Sequence, residues 1–152
     1  MYRNIVVGTD GSATAAVAVG HAGDLAKLTG ATVHIVHAFR TVSTAYLAAA
    51  TSASTWTEDL EETNASIVAD ANRVCADAAA ELSRRDMKVE THARPGEAAD
   101  LLVAVAKEVG ADLVIVGNRG MTGAKRFVLG SVPNKVSHHC PCSLLIVETV
   151  PS

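Results

Sequence analysis

The residues best suited to chemistry lie between positions 117 and 133. Gly117 and Gly120 are separated by two residues, and nine residues later come Gly130 and Ser131, followed by Val132 and Pro133. Glycine lets a backbone turn sharply and approach a ligand closely. Gly130 and Ser131 stand where a helical pattern begins, and the first N–H groups of a helix, with the positive end of its dipole, favour an anion. The serine hydroxyl can donate as well. Two glycine clusters at fixed spacing therefore offer two backbone grips on one polyphosphate, and Arg119, Lys125 and Arg126 add positive charge nearby. The plainer use of the same residues is a turn followed by a helix cap. No Gly-Lys-Ser/Thr sequence occurs, so this is not a Walker-type loop.

A second group follows the first apolar run: Gly8-Thr9-Asp10-Gly11-Ser12. An aspartate at the end of a strand can accept hydrogen bonds from ribose hydroxyls, or it can cap the next helix together with Ser12. His37-Ala38-Phe39 closes the second run, and a small residue such as Ala38 could meet a base or simply fill space. His138, His139, Cys140 and Cys142 invite a metal reading. Adjacent histidines cannot easily share one ion, however, and the spacing matches no zinc pattern. A basic helix end leading into a buried strand explains them better, so no metal site is assigned. Cys75 falls mid-helix, as a core residue would. Trp56, the sole tryptophan, either covers the crevice or lies on the surface.

These groups need elements to position them. Five short runs read as strands: Ile5 to Val7 closed by Gly8, Val33 to His37, a weaker Lys88 to Thr91, Leu113 to Val116 closed by Gly117, and Leu144 to Val147. The first, fourth and fifth lack polar alternation, as strands covered on both faces do. Helical patterns fill the gaps: Ala13 to Leu28 stopped by Gly30, Glu58 to Arg85, Glu97 to Val109 stopped by Gly110, and Ser131 to His138 with Pro133 in its first turn. The long helix carries Ile67, Val68, Val74, Ala78 and Leu82 at near-helical spacing. The segment Thr41 to Thr57, rich in Ser, Thr and Ala, reads as a mobile loop with room for a short helix. Alternating strands and helices imply right-handed crossovers and a mostly parallel sheet with helices on both faces. The orders 2-1-3-4-5 and 3-2-1-4-5 both remain open, and in the second the first and fourth strands meet where the winding reverses, the crevice that takes ligands.

The totals narrow the function classes. A length of 152 residues fits a single domain, residues 1–152, and 49% hydrophobic residues suffice for a core. Aromatics at 3% mean that this core is built from Val, Leu, Ile and Ala. A net charge of −3 without basic runs argues against a nucleic-acid or membrane partner. Three cysteines fit a reducing compartment, and the opening apolar run is too short for a signal or a span, so the cytoplasm is expected. A receiver domain would need an aspartate after the third strand, where His92-Ala93-Arg94 stands. A dinucleotide fold would need Gly-x-Gly-x-x-Gly after the first strand, which is absent.

The Gly-x2-Gly-x9-Gly-Ser pattern at 117, 120, 130 and 131 resembles the nucleotide-binding branch of the universal stress proteins. So do Gly8-Thr9-Asp10-Gly11-Ser12, His37 at the end of the second strand, and the ending Pro141-Cys142-Ser143-Leu144-Leu145-Ile146-Val147. The resemblance spans essentially the whole chain. It implies an adenine nucleotide alpha hydrolase-like fold with strand order 3-2-1-4-5. It also implies binding of ATP, with or without Mg, or of cyclic AMP as in some relatives. By that likeness Asp10 holds ribose, Ala38 meets adenine, and Gly117, Gly120, Gly130, Ser131 and Val132 hold phosphate. The full candidate set adds Gly8, Thr9, Val116, Arg119 and Pro133. One departure is Ala38, where the family often carries Val. The implied role is a nucleotide-responsive stress or regulatory protein, with weak ATP hydrolysis at most, since Asp10 is the only obvious acid at the crevice. A homodimer through the last strand, Leu144 to Val147, is implied too, and it would cover an apolar edge that is otherwise exposed.

Overall fold

The computed structural model describes residues 1–43, 56–118 and 129–149, with the backbone alone described at 56–58. Five strands form one parallel sheet: β1 (Asn4–Gly8), β2 (Thr32–Phe39), β3 (Val89–Pro95), β4 (Leu113–Gly117) and β5 (Ser143–Val147). Their order is 3-2-1-4-5, the order that the resemblance implies. The helices are α1 (Ala13–Thr29), α2 (Trp56–Ser83), α3 (Ala98–Glu108) and α4 (Ser131–His139).

Strand alternation builds two cores, because successive side chains point to opposite faces. Ile5, Val7, Val33, Ile35, Leu113 and Ile115 meet Ala18, Ala22 and Ala26 of α1 and Cys75 and Leu82 of α2. Val6, Val36, Val114 and Val116 meet Ala99, Leu102, Val105 and Ala106 of α3 and Val136 of α4. Alanine supplies three of the five buried residues of α1 and two of the four of α3. Gly30 ends α1 in the left-handed conformation at φ 74°, and its N–H bonds the Ala26 carbonyl at 2.8 Å, the stop read from the sequence.

Several boundaries differ from the sequence reading. β3 does not stop at Thr91. It runs to Pro95, so His92-Ala93-Arg94 lies inside the strand and Gly96-Glu97 follows it. Pairing with β2 along the whole length, from Val33↔Val89 to Phe39↔Pro95, sustains a strand whose own pattern is weak. The helix assigned to Glu58 to Arg85 begins at Trp56, inside the segment read as a loop, and ends at Ser83. Where that loop starts it is tied down: Val42 N donates to Asn64 Oδ1 at 2.9 Å and Asn64 Nδ2 donates to the Val42 carbonyl at 3.0 Å. Residues 44–55 of that reading lie outside the described residues. On α2 the buried row is Leu60, Ala71, Cys75 and Leu82, whereas Val68, counted with the apolar stripe, is exposed. Among the described residues no helix is long and apolar enough to cross a membrane.

Candidate functional site

In a parallel sheet every strand delivers the chain to the same edge, and every following helix starts there. β1 feeds α1 toward β2 on one side, while β4 feeds α4 toward β5 on the other, so β1 and β4 part at their C-terminal ends. A cavity of about 570 Å³ opens at that point.

Its floor is the exit of β1. Thr9 N extends the pairing by one bond, to the Val36 carbonyl at 2.9 Å. His37 Nδ1 then donates to the Thr9 carbonyl at 2.8 Å, tying the ends of β2 and β1 together. The chain turns at Gly11, whose φ of 78° suits glycine and whose missing Cβ would stand 3.4 Å from Val74 of α2. Ser12 caps α1, accepting from Ala15 N at 3.1 Å. Asp10 Oδ1 accepts from Ser12 N at 2.9 Å, so this aspartate supports the cap of α1, and it also lines the cavity. Its second oxygen remains an acceptor.

The opposite wall is the exit of β4 and the start of α4. Asn118 N donates to the Val147 carbonyl at 2.8 Å, and its own carbonyl accepts from Gly130 N at 3.1 Å. Gly130 is thereby pressed onto Asn118. A Cβ there would stand 3.3 Å from the Asn118 carbonyl oxygen and 3.5 Å from the Pro133 ring. Within α4 the first backbone bond is Asn134 N to Gly130 O at 3.1 Å, and Pro133 has no N–H. Among the described residues no side chain caps this end. Among the described residues, the N–H groups of Ser131 and Val132 find no acceptor, and no acidic residue in the first turn opposes an anion.

Of the residues marked from sequence, Gly8, Thr9, Asp10, Ala38, Val116, Gly117, Gly130, Ser131, Val132 and Pro133 all line this one cavity. Arg119 and Gly120 lie outside the described residues, as do Lys125 and Arg126. The wall also includes residues the site reading missed: Ser12, Thr14 and Ala15 of the α1 start, Val36 and His37 of β2, Ala98 and Leu102 of α3, and Leu129. His37 carried a signal, a polar side chain ending an apolar strand. Leu102 carried none, because only the crossover from β3 to β4 brings α3 to the cavity. The cysteine and histidine group at the end of α4 is arranged as a helix terminus. His138 and His139 occupy the last turn, and Cys140 and Cys142 are free thiols with sulfurs 3.9 Å apart. Burial pushes the Cys142 thiol up to about 12, with Cys140 beside it adding to the rise.

Known proteins share this fold. The model of the universal stress protein family matches residues 1–148. Universal stress protein YxiE of Bacillus subtilis is 32% identical over 150 residues, which cover 97% of this chain and all of that one. Among solved structures, protein MJ0577 is similar with a TM-score of 0.80 at 25% identity, over 100% of this chain and 99% of that one. A universal stress protein in complex with cAMP follows with a TM-score of 0.71 at 28% identity, over 98% of both chains. A universal stress protein from Archaeoglobus fulgidus in complex with dAMP has a TM-score of 0.64 at 25% identity, over 97% of this chain and 98% of that one. A family match across nearly the whole length and a full-length relative agree: this chain belongs to the universal stress protein family.

Proposed function

We propose that this protein binds an adenine nucleotide, ATP in the first place, in the cavity between β1 and β4, and that occupancy rather than turnover is its output. The observation that carries the reading is the convergence of Asp10, Ala38, Gly117, Gly130, Ser131 and Val132 on one cavity of about 570 Å³. That volume falls within the roughly 300–1,000 Å³ usual for small-molecule sites. Structural neighbours solved with cAMP and with dAMP support an adenylate as the ligand class.

Each part has a physical role. The Ser131 and Val132 N–H groups and the α4 dipole receive phosphate. The second Asp10 oxygen accepts from ribose hydroxyls, held in place by the Oδ1 bond to Ser12 N. Ala38 and Val36 give the base an apolar seat. Hydrolysis would need a base and a positioned water. Among the described residues Asp10 is the only carboxylate lining the cavity, and it already serves the α1 cap. The role proposed is that of a regulatory binder, placed in the cytoplasm. Cyclic AMP is the second reading, favoured by the neighbour that holds it.

Calorimetric titration with ATP, ADP and cyclic AMP tests this. ATP is expected to bind most tightly. Gly130→Val should abolish binding, because its side chain must displace the Asn118 carbonyl or the Pro133 ring. Asp10→Ala, which crowds nothing, should weaken it by roughly tenfold, the worth of a hydrogen bond to a charged acceptor. Full affinity in both variants would remove the cavity from the argument.

A further inference from the structure

The sheet face that carries α3 and α4 holds a second polar group, away from the cavity. His34 of β2 shares this face with Val6 and Val36 by alternation, and the register sets His34 opposite Glu90 of β3 and Val36 opposite His92. His34 is buried, His92 half-buried and Glu90 exposed. We infer that His34, Glu90 and His92 form a site for a divalent cation of the zinc class, with a fourth position open to water.

The spacing is the main argument. His34 Nδ1 lies 3.2 Å from His92 Nε2 and 3.4 Å from Glu90 Oε2, and the three ligand atoms all fall within 4.8 Å of one another. Zinc bonds of about 2.0–2.2 Å to nitrogen and oxygen put neighbouring corners of a tetrahedron about 3.3–3.6 Å apart. Two of the three edges are therefore close to that span already. No other group of three or more His, Cys, Asp or Glu among the described residues meets the same limit. Two imidazoles and a carboxylate suit zinc, cobalt or nickel better than magnesium or calcium, which prefer all-oxygen shells.

The hydrogen bonds around the histidines fit a ligand role. Asn4 Nδ2 donates to the Val109 carbonyl at 3.2 Å, which turns Asn4 Oδ1 toward His34. Oδ1 accepts from His34 Nε2 at 3.3 Å, so the proton of neutral His34 sits on Nε2 and its lone pair on Nδ1. This is the outer partner that orients metal-binding histidines. Arg94 Nη2 reaches His92 Nδ1 at 3.4 Å, a contact secondary to the grip of Glu108, which holds the two Arg94 nitrogens at 2.7 and 2.9 Å. Without a cation, His92 donates from Nε2 to His34 Nδ1. On uptake the His92 proton moves from Nε2 to Nδ1 through solvent, Nε2 presents its lone pair, and the ring stays neutral throughout. The contact given up is the long one to Arg94. The ligands stand on two paired strands, a rigid mount, and the exposed Glu90 side leaves an entry path.

Zinc titrated calorimetrically into the full chain, after treatment with EDTA, is expected to bind at one equivalent. Glu90→Gln and His92→Gln should each weaken it by at least tenfold, and Asn4→Ala by about tenfold, the usual cost of an outer partner. Glu90 is exposed, so its variant should keep its fold and its adenylate affinity, which separates this inference from the nucleotide reading. Cobalt in place of zinc should give visible bands without a near-ultraviolet thiolate band, and Cys140→Ser with Cys142→Ser should bind as tightly as the wild type. Absence of zinc binding would overturn the inference. So would binding that survives both Glu90→Gln and His92→Gln, or binding that is lost in the cysteine variant.

Discussion

His37 and Asp112 show how single side chains set the sheet's two ends. His37 Nδ1 fixes the Thr9 carbonyl and with it the loop that carries Asp10. His37→Ala should weaken ATP binding by about threefold to tenfold, the worth of one net hydrogen bond of roughly 0.5–1.5 kcal/mol, although the ring need not touch phosphate. Calorimetry with unchanged affinity would show that the loop holds its shape unaided. At the other end, Asp112 Oδ2 accepts from Arg3 N at 2.7 Å and Asn4 N at 3.0 Å, tying the start of β1 to the start of β4. These backbone bonds hold its pKa below the ordinary aspartate value. A carboxylate depressed in the folded state contributes stability that is complete above its unfolded value and lost as pH falls through its folded one. Wild type should therefore exceed Asp112→Asn in stability at pH 6, and the gap should close as pH falls below about 3.9. Urea unfolding across that range measures it. An advantage that persists at pH 2 would mean that charge plays no part.

At the level of elements, Asn118 joins pieces that the sequence lists far apart. Its Oδ1 accepts from both the N–H and the hydroxyl of Thr149, each at 3.0 Å, and Thr149 is buried. Asn118→Ala would strand that N–H and should cost about 1–3 kcal/mol, the penalty of an unpartnered buried donor. Denaturant unfolding would register it, and a loss under 0.5 kcal/mol would mean that water replaces the side chain. Residues such as this mark the limit of what was legible beforehand. Strands β1, β4 and β5 declared themselves by unbroken apolar runs, and α1 by its alanines and Gly30. β3 was cut short because Glu90, Thr91, His92 and Arg94 give an edge strand no apolar signal, and its length comes from β2. The start of α2 at Trp56 was hidden by a composition rich in Ser, Thr and Ala that fits loop and helix alike. The site was readable where it follows strand ends directly, at Gly8 to Asp10 and Gly117. The contribution of α3 was not, since Leu102 reaches the cavity only through the crossover.

For the molecule as a whole, β5 is the apolar edge of the sheet. It is an edge strand, and Leu145 and Ile146 are each 36% exposed. An apolar edge invites pairing with a second copy. If two copies pair along this edge, Ile146→Lys should yield the monomer mass in light scattering after gel filtration where the wild type gives the dimer mass, and a dimer mass kept by the variant would place the self-association elsewhere. The position of Asn118 gives this edge a further meaning. One residue bonds the tail of β5 through Val147 and Thr149 and the head of α4 through Gly130. If copies meet along β5, thermodynamic reciprocity requires that any factor by which nucleotide tightens the pair is returned in full, as tighter nucleotide binding by the pair than by the lone chain. Protein concentration would then tune the protein's sensitivity to its ligand, and dilution alone would shift the half-saturation point.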